Sequence, residues 1–218
     1  MEKIICIVSK FKEMKKKNNS GAEFEARLGY YKGNFVTDVG EAFFERVKKW
    51  VEESEYVTQT DVAEYHDYIY LHNNTKLRTR VIFDTMGMNM LRQTIRKQRI
   101  KDVTFKEYGQ PEMCVRIQLS EENEYIGNLP GVVDTDYVRI VQRYSYTVGS
   151  WRYDFSRVSQ GKTRMEAEEN KRLSHFQHEI ECELIDDDYI NTKSASHIAK
   201  SILHKMTNIT NCNWNLSE

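Results

Sequence analysis

Two short segments, far apart in the chain, place glutamates at every second position. They are Glu23-Phe24-Glu25-Ala26-Arg27 near the start and His178-Glu179-Ile180-Glu181-Cys182-Glu183-Leu184 near the end. Period two is the repeat of a β-strand, whose successive side chains face opposite sides. On a helix, residues two apart point about 200° from one another, and such acids cannot converge. Each segment therefore reads as a strand with a carboxylate ladder on one face and apolar or small side chains on the other. Aligned like charges destabilise a sheet. A chain that keeps five of them points to a compensating cation, and hard oxygen donors suit Mg²⁺ or Mn²⁺.

Strands between the two ladders repeat the pattern with the opposite sign. Lys76, Arg78 and Arg80 alternate with Leu77, Thr79 and Val81, while Arg116, Gln118 and Ser120 alternate with Val115, Ile117 and Leu119. Arg139 and Arg143 share a face opposite Ile140 and Tyr144, and Arg152 and Asp154 lie between Trp151, Tyr153 and Phe155. One such strand is an ordinary polar exterior over an apolar interior. Repeated across most of the strands, the charge fits the converse: a barrel with charges inward and apolar faces outward, packed under helices. The overall balance, 32 basic against 33 acidic residues, argues against a simple nucleic-acid coat and leaves the two signs segregated by strand.

The rest of the chain sets the frame. A length of 218 residues fits one core-forming domain, expected at 22–218 behind an N-terminal arm at 1–21 that is either a short helix or irregular. Asp38 with Glu41 reads as a capping box opening a helix at 39–53, and Ala195, Ile198, Ala199, Ile202, Leu203 and Met206 mark another at 194–207. Strands are expected at 23–31, 67–72, 76–83, 90–105 (with a bulge or break), 112–120, 137–147, 151–158 and 175–185, with a hairpin turn at 73–74. Without crossover helices between them, these strands pair antiparallel. The four cysteines form no CxxC pair, which points to a reduced, intracellular protein. The apolar run at 4–8 is too short to span a membrane, so no membrane partner is expected.

At Glu23-Phe24-Glu25, at Trp151-Arg152-Tyr153-Asp154-Phe155-Ser156-Arg157-Val158 and at the His178–Leu184 ladder, the chain resembles the metal-dependent RNA 5′-triphosphatases of fungal, protozoan and large-DNA-virus mRNA capping. These belong to the triphosphate tunnel metalloenzymes. The resemblance implies an α+β fold, an eight-stranded antiparallel β-barrel with a charged interior flanked by helices. It also implies a site. Glu23, Glu25 and Glu183 match the metal-binding carboxylates. Glu179, Glu181 and Asp154, with Glu122 near the attacking water, complete the catalytic set. Arg78 (with neighbouring Arg80), Lys97, Arg139, Arg143 and Arg152 match the phosphate-binding side chains. The chain departs from the family at three places. Val141 stands where a basic residue is usual, with Lys162 the available substitute. Ser156 stands for a threonine, and Arg27 for a frequent lysine.

The resemblance implies release of the γ-phosphate from nascent RNA 5′ ends, with Mg²⁺ or Mn²⁺ as cofactor and triphosphate-terminated RNA as partner. Nucleoside triphosphates are a further candidate substrate. No Lys-x-Asp-Gly motif is present, so guanylyl transfer is expected from a separate guanylyltransferase or from sequence beyond these residues. The expected location is the nucleus or, for a viral chain, a viral factory or virion. Two other readings stay open: a tunnel enzyme acting on tripolyphosphate or free nucleotides, and a non-catalytic module that binds RNA ends.

Overall fold

The computed structural model describes residues 1–17, 19–72, 75–83, 89–106, 113–127 and 135–211. Nine strands and five helices follow in the order α1 (Glu2–Lys16), β1 (Ala22–Lys32), β2 (Asn34–Val36), α2 (Glu41–Glu52), β3 (Val57–His72), β4 (Thr75–Phe83), β5 (Asn89–Phe105), β6 (Met113–Glu124), β7 (Tyr137–Val148), β8 (Trp151–Gly161), α3 (Arg164–Arg172), β9 (Gln177–Leu184), α4 (Asp187–Thr192) and α5 (Ala195–Asn211). The strands pair antiparallel in the order β2-β1-β6-β5-β4-β3-β7-β8-β9, and β9 returns to pair with β1. Eight strands thus close into a barrel, and β2 is an addition folded back on the end of β1.

Closure follows from the sequence pattern. The strands β1, β6, β8 and β9 each have one apolar face, and that face lies outside the barrel, under helices. Phe24, Ala26 and Leu28 of β1, Val115, Ile117 and Leu119 of β6, Tyr153 and Phe155 of β8 and Ile180, Cys182 and Leu184 of β9 are all buried. Covering them are Ile4, Ile7, Val8 and Phe11 of α1, Phe44, Val47 and Val51 of α2, and Ile198, Ile202, Met206 and Ile209 of α5. Each large apolar side chain so buried contributes about 1.5–3 kcal/mol. On the opposite side, Ala167 of α3 packs over Tyr68, Tyr70, Leu77, Val138 and Ile140. Closing the sheet also removes unpaired strand edges.

Several local expectations change. Strand β3 starts at Val57, ten residues earlier than expected, because its exposed first half is held by backbone pairing with β7 rather than by apolar alternation. The capping box does not form. Gly40, in the left-handed region at φ 76°, is the N-cap of α2, and the Asp38 carboxylate accepts instead from the N–H groups of Gly40 and His178, each at 3.0 Å. The break expected in β5 is a register shift between Arg99 and Lys101. The turn at 73–74 and Cys212 lie outside the described residues; His72 and Thr75 pair on either side of that turn. No helix among the described residues is long and apolar enough to cross a membrane.

Candidate functional site

Register brings the two glutamate ladders together. Glu25 of β1 lies opposite Glu183 of β9, and Arg27 opposite Glu181, with their side chains inside the barrel. Residues facing each other across an antiparallel pair share a face. The interior can therefore be followed around the ring from Glu23 and Glu25 to Ser120 and Gln118 on β6, then to Lys97 on β5 through Glu122. It continues through Arg78 and Arg80 on β4, Asp67 on β3, Arg139 and Arg143 on β7, and Arg152 and Asp154 on β8.

The carboxylates are answered by cations. Lys97 Nζ lies 2.7 Å from Glu23 Oε2, 3.5 Å from Glu25 Oε1 and 3.1 Å from Glu122 Oε1. Arg78 donates through one nitrogen to both Glu122 oxygens, at 3.1 and 3.2 Å. Arg27 joins Glu25 (3.1 Å) and Glu181 (3.2 Å), and Arg139 meets both oxygens of Glu179 at 2.8–2.9 Å. Arg152 spans Glu183 (2.5 Å) and Asp154 (3.2 Å). Arg143 spans Asp154 (3.2 Å) and Glu181 (3.6 Å). Arg80 is committed to Asp67 by a fork at 2.9 and 3.0 Å, with its guanidinium carbon 3.7 Å from the Tyr65 ring centroid.

Charge is not evenly spread. Burial pushes the Glu183 carboxyl up to about 8; Arg152 opposes the shift, and Glu23 and Glu25 add to it. Glu23 is also raised, by burial and by its acidic neighbours against the pull of Lys97. Glu181 is different: burial raises it, but Arg27 and Arg143 outweigh burial and hold it at about 2. Burial thus disfavours the charged forms of Glu23 and Glu183, a cost that a cation brought to the Glu23–Glu25–Glu183 group would offset. Among the described residues no three acidic, histidine or cysteine side chains already converge as a metal cage. Lys97 sits between two of the three carboxylates. The donor set is nonetheless all oxygen, which fits a hard divalent ion.

Beside this group lies a cavity of about 260 Å³ whose wall includes Arg27, Lys76, Arg78, Lys97, Arg99, Arg116 and Arg139, with Gln118, Ser120, Thr37 and Tyr137. The Nε–H groups of Arg27 and Arg78 are buried there without a hydrogen-bond partner. Buried donors are normally satisfied. These two atoms are enclosed and do not open onto the cavity; it is the density of Arg and Lys side chains in its wall that suits an anion. A larger cavity of about 430 Å³ lies outside the barrel, between the β7–β8 turn and α5, and includes no residue of the ladders.

Of the residues singled out from sequence, Arg78, Lys97 and Arg139 line the basic cavity. Glu23, Glu25, Glu183 and Glu122 group at one side of it; Arg80, Arg143 and Arg152 hold neighbouring carboxylates. Val141 packs with Tyr65 and Val158 in an apolar patch inside the barrel. Lys162 is exposed on the turn after β8 and does not take its place. Sequence reasoning passed over Asp67 and gave no role to Arg27, Lys76, Arg99 or Arg116. Their strand parity was the available signal, because Arg116, Gln118 and Ser120 alternate in step with the first ladder. Cys182 lies on the outer face, its thiol pushed up to about 12 by burial, and offers no nucleophile.

Residues 25–211 match the family described as mRNA capping enzyme, beta chain. No curated protein sequence matches. Among solved structures, the S. pombe Pct1 RNA triphosphatase is similar at 13% identity, with a TM-score of 0.66 and coverage of 95% of this chain and 89% of that one. A Mimivirus capping enzyme triphosphatase is similar at 13% identity and TM-score 0.66, covering 95% and 96%. A chain of the S. pombe Mediator head module shares the fold more distantly, at 10% identity and TM-score 0.54.

Proposed function

We infer that this chain, which belongs to the mRNA capping enzyme beta-chain family, is an RNA 5′-triphosphatase that hydrolyses the γ-phosphate of a nascent transcript inside its barrel. The observation that carries this reading is the cationic cavity set beside the clustered carboxylates Glu23, Glu25 and Glu183 inside one barrel.

Phosphoryl transfer asks the protein for positioning and charge stabilisation rather than covalent chemistry. Arg27, Arg78, Lys97 and Arg139 face the cavity and donate to phosphate oxygens, the guanidinium forks matching them in pairs. Glu179 orients Arg139, Glu181 orients Arg27 and Arg143, and Asp154 orients Arg143 and Arg152. Held at about 2, Glu181 stays ionised and keeps those arginines in place. Glu122, joined to both Arg78 and Lys97 beside the cavity, would accept a hydrogen bond from the attacking water. Water oxygen bonds to the γ-phosphorus as the bond to the β–γ bridging oxygen breaks, giving a 5′-diphosphate end and inorganic phosphate. Glu23, Glu25 and Glu183 would hold a divalent ion, Mg²⁺ or Mn²⁺. When bound, it neutralises charge on the γ-phosphate. These 218 residues carry no Lys-x-Asp-Gly motif, so a guanylyltransferase on another chain or in sequence beyond them would take the diphosphate product onward.

The test is γ-phosphate release from triphosphate-ended RNA, ATP and tripolyphosphate side by side, with Mg²⁺, Mn²⁺ or chelator. Release from RNA in metal and none in chelator is expected. Release from tripolyphosphate alone would assign a different tunnel activity. Binding of RNA ends without release from any substrate would make the chain a non-catalytic module.

A further inference from the structure

The strand that lies outside the eight-stranded ring covers one rim of it. After β1, the chain turns at Gly33, in the left-handed region at φ 76°, and returns as β2. A Cβ at Gly29 would sit 2.0 Å from the Val36 carbonyl oxygen and 3.0 Å from Phe35 Cζ, so glycine is what lets β2 fold across the inward face of β1. The segment that follows is pinned to β9. Thr37 Oγ1 donates to Glu179 at 3.1 Å, and the Val39 N–H donates to the His178 carbonyl at 2.9 Å. This fixed lip presents Phe35 against Arg116, whose guanidinium carbon lies 4.1 Å from the ring centroid. Tyr137, on the same cavity, receives a hydrogen bond from Lys76 Nζ at 3.1 Å, and that ammonium lies 5.3 Å from the tyrosine ring centroid. Both rings are partly exposed.

The barrel has a direction. Its carboxylate group gathers toward the start of β1 and the ends of β6 and β9, where an incoming anion would meet Glu23, Glu122 and Glu183 first. The Phe35–Tyr137 rim is the opposite end, where β1 finishes and β7 begins; Arg116, Lys76 and the two rings lie there, with the Glu179 carboxylate held by Arg139 and Thr37. We propose that this rim is the RNA entrance. The 5′-triphosphate passes inward toward the carboxylates, the first bases stack on Phe35 and Tyr137, and Arg116 and Lys76 take the phosphates that follow. The proposal rests on the triphosphatase reading and adds where the RNA enters and how it is told from inorganic triphosphate. Stacking on an aromatic ring is tolerant of base identity, because every base has a π-face. Tripolyphosphate has no base and gains nothing from the rings.

The experiment compares kcat/KM for triphosphate-ended RNA and for inorganic tripolyphosphate in wild type, Phe35→Leu and Tyr137→Leu. It adds quenching of a 2-aminopurine placed at the first position of the RNA. The ratio of the two kcat/KM values is expected to fall about tenfold for each ring lost. Phe35→Tyr and Tyr137→Phe are expected to restore it, and quenching should disappear in the double leucine variant. An unchanged ratio, whether both substrates fall together or neither does, overturns the proposal. If wild type releases phosphate from neither substrate, the triphosphatase reading fails. Quenching that depends on the two rings then still supports the rim as an RNA site, and quenching that ignores them overturns it.

Discussion

The two ends of the barrel interior handle charge in opposite ways. Toward the start of β1, Glu23, Glu25 and Glu183 crowd together around Lys97, Arg27 and Arg152, and burial pushes the Glu183 carboxyl up to about 8. Toward its finish, Arg27, Arg78, Arg99, Arg116 and Arg139 line an open wall, and two of their N–H groups are unpartnered. The interior pairs these two sets across the ring, Arg27 with Glu25, Arg78 with Glu122 and Lys97 with Glu23, so a cation and an oligoanion taken up together can replace those pairs. The lesson is that a charged interior can be neutralised by its substrate complex as well as by itself.

Removing a carboxylate should have the largest effect. Glu25→Ala is expected to lower γ-phosphate release from RNA by about 10³-fold, because the loss falls on transition-state charge. Next, Arg139→Met strands Glu179 in the interior. Unfolding in denaturant should show a loss of about 3 kcal/mol, the low end for a carboxylate left without its partner. Arg78→Ala on the cavity wall should weaken triphosphate binding by about 1.5–3 kcal/mol, measured as a raised KM, with a smaller change in stability. If Arg139→Met and Arg78→Ala behaved alike, the distinction between an arginine that carries Glu179 and one whose Glu122 is also held by Lys97 would be lost.

The smallest effect is in pH. A carboxyl raised from 4.5 to about 8 on folding stabilises fully below 4.5 and loses that contribution as pH rises through 8. In chelator, this lowers the melting temperature of wild type across that window. The buried rings of His66 and His178, whose pKa values are lowered, add a slope of opposite sign. The difference between wild type and Glu183→Gln isolates the glutamate: wild type should lose stability relative to the variant as pH rises. A difference that stays flat would mean the acidic end is already neutralised.

Much of this was legible in the residues. Glutamates at period two admit one backbone, and the alternation of Arg116, Gln118 and Ser120 showed which face of β6 is polar. Ring closure was not legible from any single strand. That Glu25 faces Glu183 is a register between segments some 150 residues apart, supplied only by resemblance to the family. Asp67 escaped notice for the same reason, since its partner Arg80 lies across a strand pair. Strand β2 has three residues and α4 six, too short for either period to declare itself. Val141 reads as a missing cation until Tyr65 and Val158 are seen around it.

The central claim is that the carboxylate end and the cationic wall work as one site through a shared divalent ion. Calorimetric binding of a non-hydrolysable triphosphate analogue, with and without Mn²⁺, tests it most directly, because coupled sites raise each other's affinity by the same factor. The account predicts that Mn²⁺ tightens analogue binding at least about tenfold in wild type, the lower part of the usual coupling range, and not in Glu25→Gln. Equal affinity with and without the metal in wild type would contradict it.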